Sequence, residues 1–315
     1  MNQPFKKAPI SQEFLGILLA LIAVIVWGGN FVIARGVSKQ ISPITLAFYR
    51  WSLATLILFP IAWKQFRTQL PIIRLHIPNL LFAALFGITL FNTLVYVAGH
   101  HTTAINLALI GTTSSPIMST LLAYFFLKEK PGGLRIVGML FCITGILWLL
   151  SGGSWHNLRN FHFSKGDIWI LGGAFCFAVY NILFRKKSPN ISPYAYLFTV
   201  FAAGSLLLLP AWLLEKQQVA AIVWTPALLG TILYLGAGTS VISFLCWNAA
   251  MERIGIGRTV LFGNLIPIIS SWEALVFLGE KITPQHWISG IWVTIGLILA
   301  NIQYSRLKKF LPFLP

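Results

Sequence analysis

The chain consists of long apolar segments separated by short polar connections that carry Pro, Gly, Lys or Arg. A helix of about 20 apolar residues crosses the hydrocarbon core of a bilayer, whereas a strand of a membrane barrel would be about half as long. Helices also satisfy their backbone hydrogen bonds internally, as lipid requires. The pattern therefore predicts an all-α membrane protein with ten transmembrane helices. The predicted spans are 14–34, 43–63, 78–99, 103–127, 133–151, 166–185, 193–214, 222–249, 256–278 and 284–304.

The composition agrees with a chain whose solvent is lipid. Of the 315 residues, 57% are hydrophobic and 10% are charged, whereas a soluble domain carries about 25% charged residues. The mean hydropathy is +0.79. The net charge of +16 would suit nucleic acid, but the basic residues lie almost wholly in short loops. Lys and Arg in such loops contact anionic headgroups, so we expect membrane lipids as partners and no nucleic acid.

No cofactor and no metal ion are expected. The three cysteines, Cys142, Cys176 and Cys246, lie inside apolar segments and lack the spacing of metal ligands. The sequence has seven acidic residues, no phosphate-binding loop and no nucleophile elbow. These features argue against an enzyme.

The positive charges predict the orientation in the membrane. With the N-terminus inside, sixteen of the 23 Lys and Arg residues fall on the cytoplasmic side, and Arg50 lies within a span. The six on the outer side are Arg35, Lys39, Arg159, Lys165, Lys216 and Lys281. This positive-inside bias places both termini in the cytoplasm. It also places the 152–166 loop outside.

An ordered series of residues recurs after 150 or 151 positions, which indicates an internal duplication. The matched pairs include Arg35 and Arg185, Ser42 and Ser192, Pro43 and Pro193, Pro60 and Pro210, Pro116 and Pro267, and Glu129 and Glu280. We assign the two copies to residues 1–151 and 152–315. Each has five spans, an odd number, so the second copy enters the membrane from the opposite side. Inverted repeats of this kind are characteristic of secondary transporters that work by alternating access, and we expect a monomer.

Several strings of this sequence resemble the repeat of EamA-type transporters in the drug/metabolite transporter superfamily. They are WGGNFVIAR at 27–35, ISPITLAFYRW at 41–51, SPIMSTLLAYFFLKEK at 115–130 and PIISSWEALVFLGEK at 267–281. The resemblance covers nearly the whole chain. It implies a ten-helix secondary carrier of a bacterial-type inner (plasma) membrane, in a family with many exporters of amino acids and related metabolites. Two departures stand out: Arg50 has Val200 as its repeat partner, and Lys128 precedes Glu129 where the family often has Gly.

Polar and aromatic residues recur on equivalent helix faces of both copies, as a shared central cavity would require. In membranes, however, such side chains also pack helix against helix, and that alternative stays open. The candidate substrate-binding residues are Trp27, Asn30, Asn92, Tyr96, Asn106, Thr113, Tyr180, Asn181, Ser243, Trp247, Asn264 and Ser271.

Two ionisable residues lie well inside spans, where a charge is costly and is by default a functional hypothesis. Arg50 lies seven residues after Pro43, and Glu273 lies seven residues before Glu280. For Arg50, a structural role and contact with substrate are both open. Glu273 is the one acidic residue deep in a span, so it could bind protons or a cationic substrate, or it could form an ion pair with Arg50. On an unbroken helix Glu273 and Asn264 would point to opposite faces, unless Pro267 rotates them.

The sequence thus predicts export of an amino acid, amine or related small metabolite by alternating access. Two alternatives remain open: an uptake carrier for a cationic or nucleoside-like metabolite, and a channel. The inverted repeats and the absence of a ring of charged pore residues favour a carrier over a channel.

Overall fold

The computed structural model describes residues 10–154, 164–218 and 222–301. Within these residues the chain forms ten helices, as the apolar pattern predicts. They are α1 (Ile10–Gly36), α2 (Pro43–Leu75), α3 (Ile77–Gly99), α4 (Ala104–Leu127), α5 (Gly133–Leu150), α6 (Lys165–Arg185), α7 (Pro193–Gln218), α8 (Pro226–Ile254), α9 (Ile256–Gly263 and Ile266–Leu278) and α10 (Pro284–Asn301). The predicted 152–166 loop lies largely outside the described residues.

Local sequence explains where many of these helices begin and end. Four of them start at a proline, whose fixed φ suits the first helical turn and whose missing N–H is not needed there. The repeat-related helices α4 and α9 both end in a left-handed residue, Lys128 with φ 55° and Gly279 with φ 65°. Glycine adopts this conformation freely, whereas lysine does so at a cost. The Lys-for-Gly departure in the first copy therefore falls on a left-handed helix cap.

The helices run alternately up and down, so α1 begins and α10 ends on the same face of the bundle. We call this the start face and the opposite one the far face. Nine helices, α1 to α9, are long and apolar enough to cross a membrane by length and composition within the described residues. Large apolar side chains such as Phe125, Leu206 and Phe277 are about 70% exposed on the outside of the bundle, as a lipid-facing surface requires.

Repeat-related helices pack against each other: α2 pairs with α7, and α5 pairs with α10. The α5–α10 pair is very close, because a Cβ on Gly296 would lie 2.6 Å from the Gly138 carbonyl oxygen. Small residues allow such backbone approach between membrane helices.

The packing of α1 and its repeat partner α6 is not equivalent. Helix α1 packs against α3 and α4 of its own repeat and against α8 and α9 of the other. Helix α6 packs extensively against α3 and α4, but within the described residues it has no comparable contact with α8 or α9. Both helices therefore contact the other repeat, but α1 also contacts α3 and α4 of its own repeat, whereas α6 is separated from α8 and α9 of its own.

Three features differ from simple spans. Helix α2 continues to Leu75 rather than ending near 63. Its last three turns mix charged residues such as Lys64, Arg67 and Arg74 with apolar ones, so they are not part of the continuous apolar segment that predicts the span. Helices α3 and α8 each contain a π-helical stretch, Leu85–Leu90 and Tyr234–Ile242. Helix α9 is interrupted at Asn264 and Leu265, just before Pro267.

Candidate functional site

The buried Arg50 of α2 lies at the centre of a polar cluster between the two repeats. Its Nη1 lies 2.7 Å from Asn30 Oδ1, Asn92 Oδ1 and Tyr96 Oη, which share its two N–H donors. Its Nε donates to Ser240 Oγ at 2.8 Å. These acceptors come from α1, α3 and α8, so one guanidinium group joins four helices and both repeats. We call these five residues the Arg50 cluster.

The hydrogen bonds around the Arg50 cluster orient its acceptors. Ser240 donates its own hydroxyl hydrogen to Leu235 O at 2.9 Å, which leaves its lone pairs for Arg50. Tyr96 Oη donates to Asn30 Oδ1 at 3.3 Å. Asn92 and Ser240 lie in or next to the π-helical stretches, where a wider turn re-aims side chains and often marks a functional site.

One side of the guanidinium group keeps its hydrogen-bonding capacity. Nη2 of Arg50 makes no hydrogen bond within the described residues, although a guanidinium group carries five N–H donors. The carbon Cζ lies 4.5 Å from the ring centroid of Trp51, which adds a cation–π contact. A buried, fixed cation with two free donors is suited to bind a planar anionic group such as a carboxylate.

Aromatic rings extend from the Arg50 cluster across the repeat interface. Trp51 lies 4.7 Å from Phe201, Phe201 lies 5.9 Å from Phe244, and Phe244 lies 5.4 Å from Trp27 (centroid distances). Trp27 in turn lies 5.1 Å from Trp247, and its Nε1 donates to Thr239 O at 3.0 Å. Trp27 and Trp247 are half-buried. Trp51 and Phe201, the rings nearest Arg50, are fully buried at 2% and 1% exposure, so the partly exposed π surface of the row lies at Trp27 and Trp247.

Glu273 of α9 is 7% exposed and faces α1. A Cβ on Gly28 would lie 2.9 Å from its Oε2, so the glycine makes room for the carboxyl group. Oε2 has no hydrogen-bond partner within the described residues. The ion pair between Glu273 and Arg50, one of the sequence-based alternatives, does not form. Because α9 breaks at Asn264, both Asn264 and Glu273 are buried in the protein, at 8% and 7% exposure.

The remaining sequence candidates lie outside the Arg50 cluster. Asn181 donates from Nδ2 to Ser119 Oγ at 3.2 Å and links α6 to α4, and Ser271 donates back to Pro267 O in its own helix. Thr113 and Ser243 are fully buried, and the ring of Tyr180 packs over Gly87.

Asn106 does not lie near the centre of the bundle. It is in the first turn of α4 at the far face, where its Oδ1 contacts His286 Nε2 at 3.2 Å and its Nδ2 donates to Thr102 Oγ1 at 3.3 Å. The regular spacing from Asn106 to Thr113 identifies a shared helix face, but depth in the bundle is a separate property.

Sequence reasoning missed Ser240. Its repeat partner at a shift of 151 is Thr89, another buried hydroxyl, so a search for polar matches between the copies could have found it.

Comparisons with known proteins agree with this architecture. The EamA-like transporter family model matches residues 14–151 and 164–302. The chain is 25% identical over 300 residues to an "Uncharacterized transporter YyaM" of Bacillus subtilis strain 168, covering 95% of this chain and 97% of that protein. It is 26% identical over 302 residues to a "Probable amino-acid metabolite efflux pump" of Salmonella typhimurium strain LT2, covering 92% and 96%.

A further relative is the "Aromatic amino acid exporter YddG" of Escherichia coli strain K12, 26% identical over 297 residues and covering 92% of this chain and 97% of that protein. One solved crystal structure superposes with a TM-score of 0.61 at 18% identity, covering 93% of this chain and 98% of the other, which shows the fold. With family matches over both five-helix halves, the chain belongs to the EamA-like transporter family.

Proposed function

We propose that this protein is a secondary transporter that exports an amino acid with an apolar, preferably aromatic, side chain, or a closely related carboxylate. The observation that carries the proposal is the guanidinium group of Arg50. It is buried, held by four hydrogen bonds, and has two N–H donors of Nη2 without a partner in the described part of the chain. A substrate carboxylate would complete it with charge-assisted hydrogen bonds.

The aromatic row supports a substrate with an apolar side chain. Trp27 and Trp247 present half-buried rings at the end of a line of rings that starts at Trp51, beside the guanidinium group. Aromatic rings pair edge-to-face or offset with other rings, and they attract ammonium groups over their faces. The names of two relatives, an amino-acid metabolite efflux pump and an aromatic amino acid exporter, agree with this substrate class.

We further propose that transport occurs by alternating access across a bacterial-type inner (plasma) membrane. The inverted repeats provide two related packings of one chain. The bonds of Glu280 to the α4 N-terminus at 2.8 and 3.1 Å support closure at the far face, and the absence of comparable contact between α6 and α8 or α9 in the described residues supports an opening beside α6. The charge bias of the sequence makes the start face cytoplasmic, so substrate would load from the cytoplasm. We also propose that the direction is export and that the protein works as a monomer.

The test is counterflow in proteoliposomes with labelled phenylalanine. Arg50→Gln should abolish counterflow because a neutral amide offers no charge to the carboxylate. Arg67→Gln is the matched control, since Arg67 is an exposed arginine on the same helix; it should transport like the parent. Thermal unfolding in detergent separates loss of transport from loss of folding.

A ligand series identifies the group that Arg50 recognises. Phenylalanine and phenylpropionate, which share the carboxylate, should compete for counterflow, whereas phenethylamine, which lacks it, should not. If phenethylamine competes as well as phenylalanine and Arg50→Gln still transports, the carboxylate assignment is wrong. Uptake of a cationic metabolite then becomes the better hypothesis.

Glu273 is our candidate for coupling to protons. Keeping a buried carboxyl group charged without a bonded cation is costly, so we expect it to carry a proton in this conformation. Tyr234 of α8 packs on the same part of α1, where its hydroxyl donates to Val26 O at 2.9 Å. Glu273→Gln should keep counterflow but lose acceleration by a pH gradient. An unchanged response to the gradient would exclude this residue as the coupling site.

A further inference from the structure

Two repeat-related glutamates make different bonds at the two faces of the bundle. At the far face, the carboxylate of Glu280 accepts from the first N–H groups of α4, Ala104 N at 2.8 Å and Ile105 N at 3.1 Å. At the start face its repeat partner Glu129 instead forms an ion pair with Arg185 at 2.9 Å. The same position of the repeat therefore occurs in two bonding states within one structure.

The repeat-related arginines differ in the same way. At the far face, Arg35 Nη1 donates to Gly99 O at 3.1 Å and so ties the end of α1 to the end of α3. Its partner Arg185, at the end of α6, is paired with Glu129. At the far face, therefore, Arg35 bonds to α3 and Glu280 bonds to α4. At the start face, Arg185 and Glu129 bond to each other.

The repeat identifies the contacts that are missing at the start face. At a shift of 151, Ala104 and Ile105 correspond to Gly255 and Ile256 at the beginning of α9, and Gly99 corresponds to Ala250 in α8. The α9 N-terminus has no side-chain cap from its own N-cap residue, Gly255, whose N–H donates instead to Met251 O of α8 at 3.0 Å. These missing contacts lie where α6 and the end of α4 are separated from α8 and α9.

We propose that the pairs Arg35–Glu280 and Arg185–Glu129 are two gates that exchange bonding states during alternating access. When the start face closes, Glu129 leaves Arg185 and caps α9 at Ile256 and Gly255, and the Gly255 N–H exchanges its 3.0 Å bond to Met251 O for the carboxylate. When the far face opens, Glu280 leaves the α4 N-terminus and pairs with Arg35. This inference rests on the proposed transport function and names the residues that hold each side shut.

The two bonding states differ in strength. The far-face contact places a carboxylate on a buried helix N-terminus, since Ala104 and Ile105 are at most 1% exposed, and charge-assisted bonds and the helix dipole both stabilise it. The start-face ion pair is exposed, with side-chain exposures of 51% for Arg185 and 47% for Glu129, and exposed pairs contribute little. Removing either glutamate therefore mainly weakens the state in which it caps a helix.

This difference predicts opposite shifts of one equilibrium. Glu280→Ala should move the population toward the far-open state by roughly two- to ten-fold, the range expected for losing a helix cap less an exposed pair. Glu129→Ala should move it toward the start-open state by a similar factor. The double variant should return close to the parental ratio, because the two effects cancel.

Distances between spin labels in lipid nanodiscs measure this ratio. The native cysteines are first replaced by serine. Exposed positions then carry the labels: Lys39→Cys with His101→Cys at the far face, and Lys186→Cys with Glu252→Cys at the start face. Glu280→Ala should lengthen the far-face distance and shorten the start-face distance. Glu280→Gln keeps one acceptor oxygen, so it should shift the two distances in the same directions but by a smaller factor. It replaces the alanine variant if that variant folds poorly.

The outcomes separate this inference from the proposed function. If both alanine variants shift the ratio in the same direction, or if the double variant behaves like Glu280→Ala, the gate assignment is wrong. If phenylalanine shifts the distances in the parent but neither alanine variant changes them, the gate assignment is wrong, whereas alternating access remains supported. If the parent shows one fixed distance at each face with and without phenylalanine, the proposed mechanism itself fails.

Discussion

Helices α2 and α7 begin at opposite faces, and each receives a cap from the other. The carboxylate of Glu215 in α7 accepts four hydrogen bonds at the α2 N-terminus: from Ser42 Oγ at 2.6 Å, Thr45 N and Thr45 Oγ1 at 2.8 Å, and Ile44 N at 3.4 Å. The repeat partner of Glu215 is Gln65, which accepts from Ser192 Oγ at 2.6 Å at the α7 N-terminus. One cap is charged and the other neutral, so exchanging them tests what the charge contributes.

The bonding pattern sets the expected magnitude. Glu215→Gln can place its one oxygen at the position of Oε2, which takes three of the four bonds, and then loses the 3.4 Å bond to Ile44 N. The main loss is charge, because charge-assisted bonds are about twice as strong as neutral ones and an anion at a helix N-terminus gains about 0.3–1 kcal/mol. We expect a loss of about 1–2 kcal/mol in the free energy of unfolding. Gln65→Glu should gain about 0.3–1 kcal/mol at α7.

Unfolding of the purified protein in bicelles by increasing mole fractions of SDS measures both changes. The double exchange, Glu215→Gln with Gln65→Glu, should lie between the single variants, because the two sites are on opposite faces and add independently. The reasoning is refuted if Glu215→Gln unfolds within about 0.3 kcal/mol of the parent, or if Gln65→Glu destabilises the protein as much as Glu215→Gln does.

Three further predictions concern packing, backbone strain and pH. Gly296→Ala should destabilise the protein by about 1–3 kcal/mol, because the new methyl group would lie 2.6 Å from a backbone oxygen of α5; Gly290→Ala in the same helix has nothing within 4 Å and should not. Lys128→Gly should raise stability by roughly 1 kcal/mol, since it relieves the left-handed backbone, and an unchanged unfolding curve would contradict this. Burial lowers the pKa of the His100 imidazole from 6.5, and nearby positive charges add to the effect. Protonation therefore opposes folding, so thermal stability should fall as the pH drops below 6.5, and His100→Gln should flatten that part of the profile.

The architecture could be predicted because the sequence patterns that indicate it extend over many residues. Ten apolar segments and a series of matches such as Ser42 with Ser192 each sum over many residues, so local irregularities do not hide them. Arg50 was also identifiable, since a charge inside an apolar segment requires partners. The partners of Arg50 were harder to predict. Ser240 reaches Arg50 from a helix of the other repeat, and the π-helical turns of that helix change the direction of its side chains.

The errors and gaps come from three properties that helical periodicity does not contain: breaks in a helix, depth in the membrane, and contacts between helices. The break at Asn264 removes the phase argument that set Asn264 and Glu273 on opposite faces. Spacing also contains no information about depth, so Asn106 at the far face shares a helix face with Thr113 in the core. The asymmetry of the two repeats was visible in part, since Arg50 has Val200 as its repeat partner, but the unequal packing of α6 depends on tertiary contacts.

The two π-helical stretches record how the duplicated halves diverged in length. Pro78 and Pro226, near the starts of α3 and α8, are 148 positions apart, whereas Asn92 and Ser243 are 151 apart. The stretch in α8 has nine residues and that in α3 has six. A π turn encloses one more residue than an α turn, so each stretch takes up extra residues inside a continuous helix rather than in a loop. The longer stretch is the one that presents Ser240 to Arg50, so the pitch of a membrane span, and not the residue types alone, sets which side chains reach this site.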